Sequence, residues 1–469
     1  MPTTEGVTVA DGSDKCACSS GSDSETPRFP DRQSRSSRQA RRAAAASLIG
    51  TTIEFYDFFI YGLAASLVFA SRFFPSFSPV AGTLASLSTF LVGFLARPVG
   101  AVLFGHFGDR IGRKRLLVVS LVTAGGATFV TGLLPTYSSI GAAAPALLVL
   151  CRIIQGVGLG GEWGGAVLMA VEHAPPNRRI VYGSLPQLGN PAGLVLATAI
   201  TLLCSSLISR EQFQAWGWRI PFLLSITLVV AGLIVRLCLR ESPAFDRVRE
   251  SRQLVRFPLG ALVRGHPRAL VAGTLAVTAS PAVGLLLAVY LIPYGQQILR
   301  FSPTAMLLLS GMFGITFFLG ILVSARVSEH RGVRPLTVLG LVSMVVWAIP
   351  FFLLFDSRSY PAALIAYAVS GLTVGTVNGP QATLLAELFP VHVRYSGASV
   401  AFQISSVLGG ALTPIASTAL LAAGGGNGLA VAVWVIGISL TSLVSFTCLR
   451  LGGGVEPGEE RTAELRSLT

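Results

Sequence analysis

The sequence predicts an all-α membrane protein, with twelve transmembrane helices arranged as two pseudo-symmetric six-helix bundles. Three observations predict it. Hydrophobic residues make up 52% of the 469 positions and charged ones only 12%, more apolar surface than a soluble core could hide. Apolar runs of about 20 residues, the length needed to cross roughly 30 Å of hydrocarbon, recur twelve times. The second half of the chain also repeats features of the first. With water absent, each run must satisfy its own backbone hydrogen bonds and so is a helix.

In chain order the spans begin near Ala44, Ala81, Leu116, Ala146, Tyr182, Arg219, Pro267, Pro303, Pro335, Pro361, Ser396 and Asn427. An even number places both ends of the chain on one face. Of the 35 basic residues, 28 fall in the tails and loops of that face, eight of them counted to the central loop. Five (Arg72, Arg210, Arg219, Arg300 and Arg358) fall in the opposite loops. Cytoplasmic loops carry the excess of Lys and Arg, so both termini are expected in the cytoplasm of a multi-pass protein. Residues 1–42 are rich in Ser, Asp, Gly and Arg without an apolar run, and are expected to form a disordered tail rather than a cleaved signal. The N-terminal bundle is placed at 43–239, a cytoplasmic linker at 240–266, the C-terminal bundle at 267–450 and a short tail at 451–469. Cys16 and Cys18 lie in the first tail and the other four cysteines lie in apolar runs, so no disulfide framework is indicated.

Sliding the chain against itself by 215 residues superposes Gly156 on Gly371, Gly160 on Gly375, Gly164 on Gly379, Glu172 on Glu387, Pro175 on Pro390 and Arg179 on Arg394. Glycines at four-residue spacing make a smooth stripe for close helix approach. The acid and arginine that follow, Glu172 in one half and Glu387 with Arg394 in the other, are candidate gating residues. A second match, offset by 220, sets Asp109-Arg-Ile-Gly-Arg-Lys114 against Glu329-His-Arg-Gly-Val-Arg334. Asp109 ends span two while Arg113, Lys114 and Arg115 open span three. A carboxylate and cations at that hinge form a latch able to break when the bundles rock; the same cations also serve topology alone.

The chemistry is concentrated in the first half. Glu54 and Asp57 lie three residues apart within the first apolar run, on one helical face. A charge at bilayer depth costs roughly 3 kcal/mol or more unless it faces a polar interior. At about 1.5 Å per residue, Glu54 sits near mid-bilayer and Asp57 a turn further on; Arg97 and Arg152 share that zone. An arginine stays charged and needs a counter-ion or an anionic substrate, whereas a carboxylate can bind a proton. Glu54 or Asp57 is therefore expected to be the protonation switch, exchanging partners with Arg152 or Arg97 as substrate binds. The competing reading is a set of static buried ion pairs. Glu162, too far along its helix to pair with Arg152, reads either as a second proton site or as a packing anchor with Trp163.

Spans seven to twelve carry no ionisable residue at mid-depth. Their polar content is Tyr290, Tyr294, Asn378, Gln381, Gln403, Ser and Thr, which gives a cavity suited to a small hydroxylated or carboxylated metabolite. Substrate contacts are expected from Arg97, Arg152, Tyr290, Asn378, Gln381 and Gln403. The net charge of +13 is spread over short loops, which argues against nucleic acid. No His-Glu-x-x-His, nucleophile elbow or phosphate-binding glycine loop is present, so an enzyme, a metal site and a cofactor are not expected.

The run Gly105-His-Phe-Gly-Asp-Arg-Ile-Gly-Arg-Lys-Arg115 resembles the signature loop of the major facilitator superfamily, and Arg152-Ile-Ile-Gln-Gly156 resembles its span-four motif. Glu54-Phe-Tyr-Asp-Phe-Phe-Ile-Tyr61, Arg97-Pro-Val-Gly100, Gly160-Gly-Glu-Trp-Gly-Gly165, Gly217-Trp-Arg-Ile-Pro-Phe222 and Glu387-Leu-Phe-Pro-Val-His-Val-Arg394 are similar to the metabolite:proton symporter family, and within it the run from Arg41 to Phe222 is most similar to bacterial shikimate permeases. The resemblance implies the major facilitator fold, an inner-membrane location, alternating access and proton-coupled symport of a small organic acid by a monomer. It also implies gating by the loop residues Gly105, Asp109, Arg110, Gly112, Arg113 and Lys114. The alternatives are a proline or betaine symporter, whose osmosensing members carry a long heptad-rich tail where only nineteen residues follow Arg450 here, and a metabolite-binding membrane sensor.

Overall fold

The computed structural model describes residues 32–111, 113–172, 174–237, 258–390 and 393–449. Twelve helices among them are long and apolar enough to cross a membrane: Ala44–Phe73, Ala81–Phe104, Arg115–Leu133, Ala143–Val171, Arg179–Leu207 and Arg219–Leu237 in the first half, then Pro267–Gln297, Pro303–Arg331, Val333–Asp356, Tyr360–Leu388, Arg394–Leu421 and Leu429–Cys448. They are called spans one to twelve below. The face on which span one starts and span twelve ends is the terminal face; the other is the far face.

Two expected boundaries move. The helix of span one begins at Arg32, so residues 32–42 are helical rather than part of an unfolded tail. Extending an existing helix avoids the cost of nucleation, and Arg, Gln and Ala are good formers. Within the expected linker, Pro258–Gly265 forms a short helix that buries Leu262. Residues 1–31 and 450–469 lie outside the described residues.

The repeat is structural as well as sequential. Span one widens into a π turn at Ala65–Phe69 and span seven does the same at Leu286–Tyr290, an offset close to that of the matching loops. The two turns meet across the halves, where Ser66 Oγ donates to the Val289 carbonyl at 3.3 Å. Equivalent helices also pack equivalently. A methyl group on Gly156 or Gly160 of span four would overlap the Gly93 or Arg97 carbonyl of span two, while one on Gly371 or Gly375 of span ten would crowd the Phe313 or Phe317 carbonyl of span eight. Most of the glycine stripe seen in the sequence is the surface on which each half closes its own helix pairs, while Gly164 faces Ser399 of the other half.

The halves touch toward both faces. On the terminal side span four breaks at Gly161, between helices ending at Gly160 and starting at Glu162. The carbonyls at the break accept from the other half: Gly160 from Gln403 Nε2 at 3.2 Å and Gly161 from the Tyr395 hydroxyl at 2.9 Å. Trp163 stacks on Phe402 beside them, with ring centroids 3.9 Å apart and planes 6° from parallel. Nearby, Glu329 Oε1 accepts from the Val181 backbone N–H at 3.1 Å. This carboxylate, in the divergent second copy of the loop motif, caps the first turn of span five across the halves.

Candidate functional site

Between the halves lies a cavity of about 50 Å³. Spans one, two and five bring Phe55, Phe58, Phe59, Phe94, Arg97, Gln187 and Asn190 to it, and spans seven, eight, ten and eleven bring Ser280, Phe313, Phe317, Asn378, Gln381, Phe402 and Ser406. That volume holds a few waters and no organic acid, so the space must enlarge to take a substrate. A larger cavity of about 480 Å³, lined by Thr83, Tyr290, Tyr294, Gln297 and Thr418 among others, lies between spans two, seven and eleven toward the far face.

Three of the six expected substrate residues reach the central cavity. Arg97 is buried there with Nη2 unpartnered, its guanidinium over the rings of Phe58 at 4.6 Å and Phe94 at 4.8 Å. Desolvated contacts of this kind are worth about 2 kcal/mol each, enough to hold a cation that lacks a close anion. Asn378 lines the cavity while donating to Ser280 Oγ and to the Val374 carbonyl. Gln381 lines it with both amide atoms unpartnered. Tyr290 instead donates or accepts with Thr418 at 2.7 Å in the far-face cavity, and Gln403 serves the span-four break.

Arg152 lies inside the N-terminal half. Its guanidinium sits on the Tyr61 ring at 3.3 Å and 5.1 Å from that of Phe90, and Nη1 donates to Gln155 Oε1. Gln155 Nε2 in turn donates to Thr128 Oγ1 at 2.8 Å, and Thr128 donates to the Ala124 carbonyl at 3.0 Å. Tyr61 continues the chain to Thr89 at 2.5 Å. Arg152 acts on Asp57 through space rather than by contact.

Glu54 is buried and its Oε2 has no hydrogen-bond partner; the same holds for Asp57 Oδ1. The cations acting on Glu54 are Arg97 and Arg236. Arg236 corrects the loop tally made from sequence: it is buried within span six, donates to the Leu117 carbonyl, and pairs with Glu162. It lies at the last turn of its span, just before the expected linker. Glu162 also accepts from Ser120 Oγ at 3.3 Å. The only ion pair whose two partners are both described is this one, so the expected pairing of Glu54 or Asp57 with Arg97 or Arg152 is one of proximity, not of contact.

Among the described residues, the buried charge of the N-terminal half therefore balances. Glu54, Asp57 and Glu162 stand against Arg97, Arg152 and Arg236.

Of the expected gating residues, Glu387 is exposed at the terminal face with Arg179 and Arg394 as the cations acting on it, and Arg394 Nε donates to the Phe389 carbonyl at 3.2 Å. Asp109, Arg110, Gly105, Arg113, Lys114 and Glu172 belong to helices whose side chains at those positions lie outside the described residues, as does Gly112 entirely. Sequence reasoning missed Gln187, Asn190, Gln155, Arg236 and the phenylalanine lining. The Gln187 and Asn190 spacing of three within an otherwise apolar span was the available signal.

Among known proteins, the model of the Major Facilitator Superfamily matches residues 47–414. The chain is 44% identical over 381 residues to the inner membrane metabolite transport protein YhjE of Escherichia coli, covering 80% of this chain and 86% of that one. It is 38% identical to the shikimate transporter of Escherichia coli over 419 residues, 89% of this chain and 96% of the relative. To the proline/betaine transporter of Salmonella typhimurium it is 32% identical over 385 residues, 80% and 76% of the two chains. Its fold matches the proton:xylose symporter XylE bound to 6-bromo-6-deoxy-D-glucose with a TM-score of 0.72 at 17% identity, covering 88% of this chain and 96% of that one. The expected fold class holds, and the chain is a membrane transporter of metabolites rather than an enzyme. It belongs to the major facilitator superfamily.

Proposed function

We propose that this transporter moves a small monocarboxylic acid, shikimate or a similar hydroxylated ring acid, together with a proton by alternating access, in a bacterial inner membrane with both termini cytoplasmic. The single observation that carries this reading is Arg97, a buried cation that lines the cavity between the halves with one nitrogen free. An acid substrate brings the carboxylate it lacks, and the neutral amides of Asn378 and Gln381 supply partners for hydroxyls.

Charge balance supports coupling. With all six buried groups ionised the N-terminal half is neutral, and adding a carboxylate leaves one uncompensated negative charge in low dielectric, which is costly. One proton on Glu54 or Asp57 removes that cost. Glu54 shares Arg97 with the cavity, so an anion that draws Arg97 away leaves Glu54 ready to take the proton; Arg152 is the cation acting on Asp57. The partially unpartnered oxygens of both carboxylates favour the same exchange.

The zwitterion reading, proline or betaine, fits the carboxylate end of the site equally and is tested beside it. Radiolabelled shikimate, 2-oxoglutarate, citrate and betaine are offered to energised vesicles with and without an uncoupler. Accumulation of shikimate that the uncoupler abolishes supports the reading. Accumulation of betaine alone, or uptake indifferent to the uncoupler, overturns it.

A further inference from the structure

Gln187 lies on span five, buried, with its Oε1 accepting from the Trp163 indole N–H at 2.8 Å and its Nε2 without a partner. The orientation of a glutamine amide is usually open to reversal. Here it is not, because an indole nitrogen can only donate and therefore fixes which end of the amide is oxygen. The end left over is an N–H₂ group at the lining of the central cavity, in the company of Arg97. A buried donor without an acceptor costs about 1–3 kcal/mol, a cost that a ligand oxygen would cancel. The anchor itself is held by the other half, since Trp163 is stacked face to face on Phe402, a cavity residue of span eleven.

We propose that Gln187 is a substrate-contacting residue whose Nε2 donates to the carboxylate of the transported acid alongside Arg97, and that Trp163 is the positioning residue that fixes it. The inference rests on the organic-acid reading above and deepens it. It assigns the carboxylate to the N-terminal half, where both donors reside, and leaves Gln381, with donor and acceptor both free, to read a hydroxyl. It also links recognition to closure. The donor is aimed at the cavity while Trp163 rests on Phe402, so separation of the terminal-face contact loosens the grip on the acid.

The test uses the full chain in proteoliposomes, with radiolabelled shikimate and its methyl ester as probes. Gln187→Glu keeps an acceptor for the Trp163 N–H but replaces the free donor by a second carboxylate oxygen. Because this variant also sets a negative charge beside Arg97, Gln187→Leu, which removes the donor without adding charge, is measured with it, and a purely structural Gln187 predicts that the Leu variant weakens acid and ester alike. Substrate contact predicts that half-saturation by shikimate rises about ten- to hundredfold, the range for loss of a hydrogen bond to a charged group, while that for the methyl ester changes by less than about threefold. Trp163→Phe keeps an aromatic face on Phe402 and removes the N–H; its effect on half-saturation is expected to be smaller, and to vanish in a Gln187→Leu background, since it acts through Gln187. Equal weakening of acid and ester by Gln187→Leu, or an additive loss in the double variant, overturns the proposal. Wild-type uptake, measured first, separates the two claims: if shikimate is not taken up, the organic-acid reading falls and this inference with it, whereas with uptake present only the variants decide.

Discussion

Arg236 of span six pairs with Glu162 at the start of the helix that follows the break in span four. The pair joins two helices of the N-terminal half beside the point where Trp163 and Gly160 engage the other half. A buried pair of this kind contributes little net stability as a pair, but loss of one member leaves a bare charge in the interior.

Glu162→Gln is therefore expected to destabilise the protein by about 3–5 kcal/mol, and Arg236→Met by a similar amount. The combined Glu162→Gln, Arg236→Met variant should recover most of that loss. Thermal unfolding of the purified protein in detergent measures it; a double variant as unstable as the two singles added together would show that the residues do not act as a pair.

Glu54→Gln and Asp57→Asn are expected to abolish accumulation against a gradient while leaving exchange of internal for external substrate. Removing the ionisable oxygen locks each site in its protonated charge state, so loading no longer depends on the proton. The readouts are accumulation and counterflow in the same vesicles. Full accumulation by both variants removes these carboxylates from coupling.

Arg97→Lys and Arg152→Lys should separate binding from coupling. Arg97 lines the cavity, and the planar fork that lysine lacks grips a carboxylate through two nitrogens, so half-saturation should rise about tenfold or more. Arg152 lies outside the cavity on the Tyr61 ring, so its replacement should lower the maximal rate with less effect on half-saturation. Initial rates over a range of substrate concentration distinguish the two. The opposite pattern would place the acid on Arg152.

Gly160→Ala should reduce correctly folded protein sharply, because the added methyl meets the backbone of span two at Arg97. Backbone cannot rotate aside as a side chain can. Gly126→Ala, where nothing lies within 4 Å, is the control and should be neutral. Yield after size-exclusion chromatography reads both.

The fold was legible because its determinants are long and repetitive. Twelve apolar runs fix twelve helices, and all twelve expected starting points fall within three residues of those observed. The site was half legible. Arg97, Asn378 and Gln381 announced themselves as polar groups in apolar runs, and so did Arg152, Tyr290 and Gln403, which the fold turns elsewhere. Position along a helix gives depth but not facing, and facing decides whether a group meets the cavity, its own bundle or the opposite half. The paired π turns of spans one and seven left no mark in composition. Arg236 was hidden by its nearness to a basic loop, and its acid partner lies 74 residues away.

The measurement that bears most directly on the central claim is the charge carried per acid molecule. In proteoliposomes, shikimate uptake is followed under an inward proton gradient with the membrane potential clamped at zero, and again under a potassium diffusion potential with no pH difference. One proton per monovalent acid makes the cycle electroneutral, so the pH gradient should drive accumulation and the potential alone should not. Accumulation driven by the potential without a pH difference would contradict a charge-balanced cluster that admits one proton with one carboxylate.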